Sequence, residues 1–225
     1  MDIKPRVLAI IPAYNEEECI VETVQELLSV SPDTDYVVIN DGSRDSTAAL
    51  CREHGFNMVD LPVNSGLTVG FQTGMKYALR NGYDYAIQFD ADGQHRPEYI
   101  KSLLEKAVDV DADIVIGSRF VTEKKSHSAR MIGSRLITSI IRLTNDPTSG
   151  MRMFNHRMIR EFATDDSLNP EPESVSLLIR RGARVEEVQV EMRERQAGES
   201  YLNLSRSISY MVRACTSILF VQWFR

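Results

Sequence analysis

The sequence predicts an α/β fold with a mostly parallel central sheet and helices on both faces. Short apolar runs, typical of buried parallel strands, alternate with amphipathic helical patterns of about ten to fifteen residues. Polar and acidic residues follow the predicted strands, at the edge where open α/β sheets bind their ligands. No Gly-x-Gly-x-x-Gly follows the first strand, so an enzyme that uses a nicotinamide or flavin cofactor is not expected.

Five strands and four helices are predicted in the first 118 residues. The strands are 6–11 (RVLAII), 35–40 (DYVVIN), 57–61 (NMVDL), 84–89 (DYAIQF) and 112–118 (ADIVIGS). Asn15 is expected to cap the first helix, with three glutamates in its first turn, and Asp45 to cap the second. The third helix should run from about Gly66 to near Gly82, and Pro97 should open the fourth. Glycines four residues apart in the third helix indicate close packing.

The pattern after residue 119 is less regular. An amphipathic helix is expected over 128–143, a short helix over 171–182 and an exposed strand over 184–195. We divide the chain into a main domain, 1–204, and a C-terminal amphipathic helix, 205–225. The longest uncharged run of that helix has 11 residues, well short of the roughly 20 that span a bilayer. It could lie in a membrane interface or pack on the domain.

The composition fits a protein of the cytosol. Cys19, Cys51 and Cys215 lie far apart without metal-like spacing, so neither a disulfide framework nor a zinc site is expected. The opening residues also lack the pattern of a secretory signal.

The charge is unevenly distributed. Residues 119–160 carry nine Lys/Arg against Glu123 and Asp146, or +7, so the rest of a chain with net charge −6 must total −13. A basic stretch in an acidic protein indicates a phosphate-bearing partner or an anionic membrane face, although a solvated helix face is the alternative. Nucleic acid is not an expected partner.

The run FDADGQH, residues 89–95, contains the most informative side chains. Asp90 and Asp92 can point the same way at a strand end, and Gln94 repeats the spacing, so three oxygen donors can share a cation such as Mg²⁺ or Mn²⁺. Aspartates that only cap a turn are the alternative. The run also resembles the haloacid-dehalogenase phosphatases, in which the first Asp is a nucleophile, but there the motif usually lies on the first strand and here it follows the fourth.

An ordered set of motifs resembles the family 2 glycosyltransferases of the GT-A fold. Within that family it is most similar to the polyprenyl-phosphate sugar transferases, of which the dolichol-phosphate mannose synthases are typical. The motifs are IPAYNEEE, VINDGSRDST, FDADGQHRPE, GSRF, DPTSGMRMF and RERQAGES, in order over about residues 5–203. The resemblance implies that residues 1–204 are a GT-A catalytic domain.

The resemblance also implies site residues. Those expected to bind the nucleotide sugar are Pro12, Tyr14, Glu16, Ile39, Asp41, Asp90, Ala91, Asp92, Arg119 and Arg195. Asp90, Asp92 and Gln94 would bind Mg²⁺ or Mn²⁺, and Asp92 and Arg195 would be catalytic. Tyr14 as a core aromatic and Arg195 as a surface arginine are the alternatives.

The implied function is inverting transfer of a hexose-type sugar from a nucleotide diphosphate sugar to a polyprenyl (undecaprenyl or dolichyl) phosphate. Because a lipid phosphate is already anionic, no general base is needed, and Arg130 and Arg135 are expected to bind it. The protein should act in the cytoplasm, peripherally at the inner face of the cell membrane.

Two other functions stay open. One is transfer to a hydroxyl on a glycan or lipid, for which Glu173 is the candidate base, and the other is a non-catalytic module that binds nucleotide sugars. Two departures from the family affect the first interpretation. Tyr201 stands where a phosphate-binding Lys is common, and the family's multi-span membrane extension is missing from this sequence, so a separate small membrane protein could supply anchoring.

Overall fold

Seven strands form one sheet in the computed structural model, which describes residues 4–121, 145–146 and 149–193. Their order across the sheet is β3-β2-β1-β4-β6-β5-β7. Only β6 is antiparallel to its neighbours, β4 and β5. The strands are β1 (Val7–Ala13), β2 (Thr34–Asn40), β3 (Met58–Asp60), β4 (Tyr85–Gln88), β5 (Ile114–Ser118), β6 (Arg152–Asn155) and β7 (Val185–Gln189).

In the part of the chain that the structure describes, six helices cover both faces of this sheet, which confirms the predicted α/β class. They are α1 (Ile20–Val30), α2 (Thr47–Glu53), α3 (Leu67–Arg80), α4 (Tyr99–Asp109), α5 (His156–Thr164) and α6 (Pro172–Arg180). Helices α3, α5 and α6 share one apolar core, in which Phe71, Phe154 and Phe162 meet edge to face. Helices α1, α2 and α4 close the other core, around Leu27 and Leu103. None of the helices described is both long and apolar enough to cross a membrane.

Helix α3 lies directly on the first two strands, as its glycine spacing predicted. A Cβ at Gly74 would fall 2.2 Å from Cγ2 of Ile10 on β1, and one at Gly70 would fall 3.8 Å from Cβ of Pro12. Because interiors are packed to crystal-like density, a side chain at Gly74 would push the helix away from the sheet. This contact fixes the start of α3 beside the carboxyl ends of β1 and β2.

Two predicted boundaries differ clearly from the structure, and one strand was not predicted. Helix α1 begins at Ile20 instead of directly after Asn15, because Asn15 has a left-handed backbone (φ 56°) and its side chain accepts a hydrogen bond from Arg44 N at 2.9 Å. Strand β6 was not predicted. In the described part of the strand expected over 184–195, only β7 is a strand, and it is half-buried where an exposed strand was expected. The helices predicted over 128–143 and 205–225 lie outside the described residues.

Candidate active site

The sheet brings the described members of the predicted site to one edge. Strands β1, β2 and β4 are parallel neighbours, and β5 runs in the same direction because it is antiparallel to β6, which is antiparallel to β4. Their carboxyl ends therefore open on the same side, as in other open α/β sheets. The segments that follow these strands begin at Tyr14, Asp41, Phe89 and Arg119.

The loop after β4 holds Asp90 and Asp92 in different environments. Asp92 is 4% exposed, and its Oδ1 accepts a hydrogen bond from Gln94 N at 3.1 Å. The side chain of Asp90 is 34% exposed. Between them, the carbonyl of Ala91 accepts a hydrogen bond from Thr23 Oγ1 of α1 at 3.0 Å. The loop is thus anchored on α1, with Asp90 as its accessible carboxylate.

His95, which we did not predict as a site residue, lies beneath Asp90. The His95 ring is 3% exposed, and its Nδ1 accepts a hydrogen bond from Asp90 N at 2.9 Å. Gln88, the last residue of β4, donates from Nε2 to Asp90 Oδ1 at 3.3 Å. Both residues stand within or beside the FDADGQH run, so their proximity in sequence was a usable signal.

The segment after β7 packs on the same loop. Arg193 N donates to Gln94 O at 3.0 Å, and Gln94 Nε2 donates to Arg193 O at 3.4 Å. The guanidinium of Arg193 donates to both carboxylate oxygens of Glu26 on α1, at 2.7 and 2.6 Å. Hydrogen bonding to Arg193 lowers the pKa of Glu26, and the same bond raises the pKa of Arg193. Arg195 follows Arg193 by two residues in the sequence and lies outside the described residues.

The predicted nucleotide residues lie at the ends of β1 and β2. Pro12, Tyr14 and Glu16 are partly exposed. Ile39 is fully buried, so its side chain belongs to the core. Asp41 is 5% exposed, and its two oxygens accept hydrogen bonds from the backbone N–H groups of Ser65 and Gly66 at 2.8 and 2.7 Å. Since a carboxylate offers about four acceptor positions, these bonds leave capacity for a nucleobase N–H.

A polar cavity of about 610 Å³ adjoins this segment on the side of β3. It does not include the Asp90 loop. Its polar lining residues are Asn40, Ser43, Arg44, Arg52, Asp60 and Asn64. Within it, Asp60 is already bound by Asn40 Nδ2 at 2.6 Å and by Arg52. We therefore take the partly exposed carboxylate of Asp90, and not this cavity, as the centre of the site.

Arg119, at the end of β5, is paired with a buried aspartate that sequence reasoning did not identify. Its Nε and Nη2 donate to the carboxylate of Asp146 at 2.7 and 3.0 Å, and Asp146 is fully buried. A guanidinium has five N–H donors, so this pair uses two of those available for an anion. The side chain of Arg119 is 37% exposed.

The loop after β4 fits a divalent cation that is shared with a substrate. No group of three or more His, Cys, Asp or Glu side chains arranged to hold a metal occurs within residues 4–121, 145–146 and 149–193. Asp90 and Asp92 supply two carboxylates, and the side-chain amide oxygen of Gln94 is the third predicted oxygen donor. Mg²⁺ is commonly bound by one or two carboxylates together with substrate phosphates, so this donor set fits. Arg130, Arg135 and Arg195 lie outside the described residues.

Comparison with known proteins agrees with this geometry. The family model "Glycosyl transferase family 2" matches residues 8–168. An undecaprenyl-phosphate mannosyltransferase of Micrococcus luteus is 32% identical over 215 residues, 88% of this chain and 88% of that protein. A polyprenol monophosphomannose synthase of Mycolicibacterium smegmatis is 32% identical over 170 residues, 69% of this chain and 64% of that protein.

A solved structure matches the fold over almost the whole chain. It is a mannosyltransferase of Pyrobaculum calidifontis in complex with GDP-Man and Mn²⁺, with a TM-score of 0.65 at 14% identity, and it covers 98% of this chain and 72% of that one. The chain belongs to glycosyl transferase family 2 and has the GT-A fold.

Proposed function

We propose that the protein transfers a hexose-type sugar, with inversion, from a nucleotide diphosphate sugar to a polyprenyl phosphate. The proposed nucleotide sugar donor is supported mainly by the Asp90–Gln94 loop. This loop lies where the carboxyl ends of the strands meet, in a chain that belongs to glycosyl transferase family 2. The polyprenyl phosphate acceptor is supported by two relatives, which are named as an undecaprenyl-phosphate mannosyltransferase and a polyprenol monophosphomannose synthase.

The donor site has to stabilise charge on the leaving diphosphate. Asp90, Asp92 and Gln94 would hold Mg²⁺ or Mn²⁺, which neutralises part of that charge when bound. Arg119 offers the diphosphate the N–H donors that Asp146 does not use. Arg195, two residues after the anchored Arg193 in sequence, is the second arginine proposed to bind it. Charge-assisted hydrogen bonds of this kind contribute about 1.5–3 kcal/mol each.

The acceptor needs no base if it is a phosphate, because its oxygen is already anionic. Glu173, the candidate base for a hydroxyl acceptor, lies in the first turn of α6, and its Oε1 accepts a hydrogen bond from Asn169 Nδ2 at 3.3 Å. We assign the acceptor phosphate to Arg130 and Arg135, in the basic stretch. We also propose that the protein acts at the cytoplasmic face of the membrane. The basic stretch and the helix predicted over 205–225 would contact that surface.

Product analysis tests this function. The protein is first screened against GDP- and UDP-sugars with Mn²⁺ by thermal unfolding, since a ligand at about one hundred times its dissociation constant adds about 2.7 kcal/mol. The stabilising donor is then offered a polyprenyl phosphate and the matching polyprenol. We expect a glycosylated phosphate of inverted anomeric configuration, no product on the alcohol, and retained activity in Glu173→Gln. Transfer to the alcohol alone, or loss of activity in Glu173→Gln with normal folding, would contradict the acceptor assignment.

A further inference from the structure

His95 is buried against the carboxylate that the proposed function assigns to a cation. Besides its hydrogen bond from Asp90 N, the ring places Nε2 3.5 Å from Asp90 Oδ2. That distance is slightly longer than a standard N–H···O hydrogen bond, so it is an electrostatic contact that shortens if the carboxylate turns. Phe89 meets the His95 ring edge to face at 5.5 Å and closes one side of it.

The backbone contact fixes the tautomer of His95. A nitrogen that accepts a hydrogen bond carries no proton, so in the neutral ring the proton must be on Nε2. Nε2–H is therefore the ring group that lies 3.5 Å from Asp90 Oδ2. The other oxygen of the carboxylate, Oδ1, accepts a hydrogen bond from Gln88 Nε2, and Gln88 is 3% exposed. Two buried donors therefore face the two oxygens of Asp90.

Gly150 packs against both members of the His95–Asp90 contact. A Cβ at Gly150 would fall 2.8 Å from Asp90 Oδ2 and 3.3 Å from both Cε1 and Nε2 of His95. Approaches below 3.0 Å force atoms to move, so any side chain here would displace the carboxylate or the ring. The absence of a side chain at Gly150 lets the chain pass directly over the contact between His95 and Asp90.

We propose that His95 is a positioning residue: its neutral Nε2–H tautomer orients the Asp90 carboxylate for binding a divalent cation. This inference rests on the proposed function, because it takes Asp90 as a ligand of the cation. Groups that hydrogen-bond to metal ligands commonly change metal affinity about 10- to 100-fold when they are replaced.

The variant His95→Asn separates the two contacts of the ring. Its Oδ1 can stand near the position of Nδ1 and still accept from Asp90 N, but no atom reaches the position of Nε2. Binding of Mn²⁺, in the presence of GDP and separately of UDP, is measured from the electron paramagnetic resonance signal of free Mn²⁺. We expect about tenfold or greater loss of Mn²⁺ affinity, with a melting temperature close to that of the parent. His54→Asn is the matched control, since His54 is exposed and stacks on Phe56.

Two further measurements keep the inference testable if His95→Asn folds poorly. His95→Gln can place an amide donor near the Nε2 position and should retain more Mn²⁺ affinity than His95→Leu. Nitrogen NMR of the parent without metal should show an unprotonated Nδ1 and a protonated Nε2 for His95. If His95→Asn binds Mn²⁺ with an affinity within about twofold of that of the parent, or if Nδ1 carries a proton, the inference about His95 is wrong and the proposed function is unaffected. A parent that binds no Mn²⁺ with either nucleotide overturns the metal part of the proposed function and this inference with it.

Discussion

Asp92 is the buried member of the acidic pair, and its replacement by Asn tests the cation assignment most directly. Asn keeps an oxygen that can accept from Gln94 N, so we expect the fold to survive. It removes one negative charge from the proposed site without changing side-chain volume. Turnover should therefore fall about 10²- to 10³-fold, by analogy with the loss of one preorganised electrostatic contact.

Steady-state kinetics at saturating Mn²⁺, together with thermal unfolding, check this expectation for Asp92→Asn. Asp33→Asn serves as the control, because Asp33 precedes β2 at the opposite edge of the sheet and pairs only with an exposed lysine, Lys4, among the described contacts. If Asp92→Asn keeps turnover within about threefold of the parent at equal stability, Asp92 is not a ligand.

Sequence reasoning predicted which site residues follow which strands, but not their partners. Asp90 and Asp92 could be proposed as cation ligands from sequence because a spacing of two residues is a local property of one strand end. The pairs Arg119–Asp146 and Arg193–Glu26 join residues 27 and 167 positions apart. Such pairs depend on how strands and helices are arranged in space, so no local pattern could predict them.

At the scale of elements, the pair between α1 and the segment after β7 should make stability depend on pH. The pKa of Glu26 is lowered below its ordinary value of 4.5 because Arg193 donates hydrogen bonds to it. A carboxylate with a lowered folded-state pKa stabilises the protein above its unfolded-state pKa, and this contribution is lost as the pH falls through the lower value.

We therefore expect Glu26→Gln to be less stable than the parent near neutral pH by about 0.5–1 kcal/mol, a modest value because both side chains are partly exposed. The difference should shrink as the pH falls below 4.5. Urea unfolding of both proteins from about pH 6 to about pH 3 measures it. If the difference in free energy of unfolding between the two proteins stays constant across this range, the Glu26–Arg193 pair does not make stability depend on pH as expected.

The elements that sequence predicted best have strong local signals, and those that it missed do not. Glycines on α3 predicted close packing, which the contact between Gly74 and Ile10 confirms. Strand β6 has only four residues, of which Arg152 is buried in spite of its charge, so hydrophobic periodicity could not indicate it. The start of α1 was misplaced because three glutamates and an asparagine satisfy the usual capping pattern, whereas Asn15 bonds instead to the segment after β2.

At the scale of the whole molecule, charge is segregated along the chain. The basic stretch 119–160 totals +7, and the remainder totals −13. Such a protein is repelled by an anionic surface except where the basic residues face it. A lipid-phosphate acceptor, which itself lies in a membrane surface, would favour this distribution. Binding should then weaken with salt, because exposed charges are screened over about 8–10 Å at physiological ionic strength.

Removal of residues 212–225 tests whether the C-terminal segment, for which the sequence predicts a helix, contributes to this contact. The deletion removes Arg213, Arg225, Trp223 and Phe224, and each Lys/Arg contributes about 1 kcal/mol near an anionic membrane. We expect weaker co-sedimentation with phosphatidylglycerol vesicles at low salt and a smaller difference at high salt. Donor hydrolysis by water should survive in the truncated protein, because the proposed donor site lies at the sheet edge. Unchanged vesicle binding would mean that these residues pack on the domain, and loss of donor hydrolysis with lowered stability would show that the domain needs them to fold.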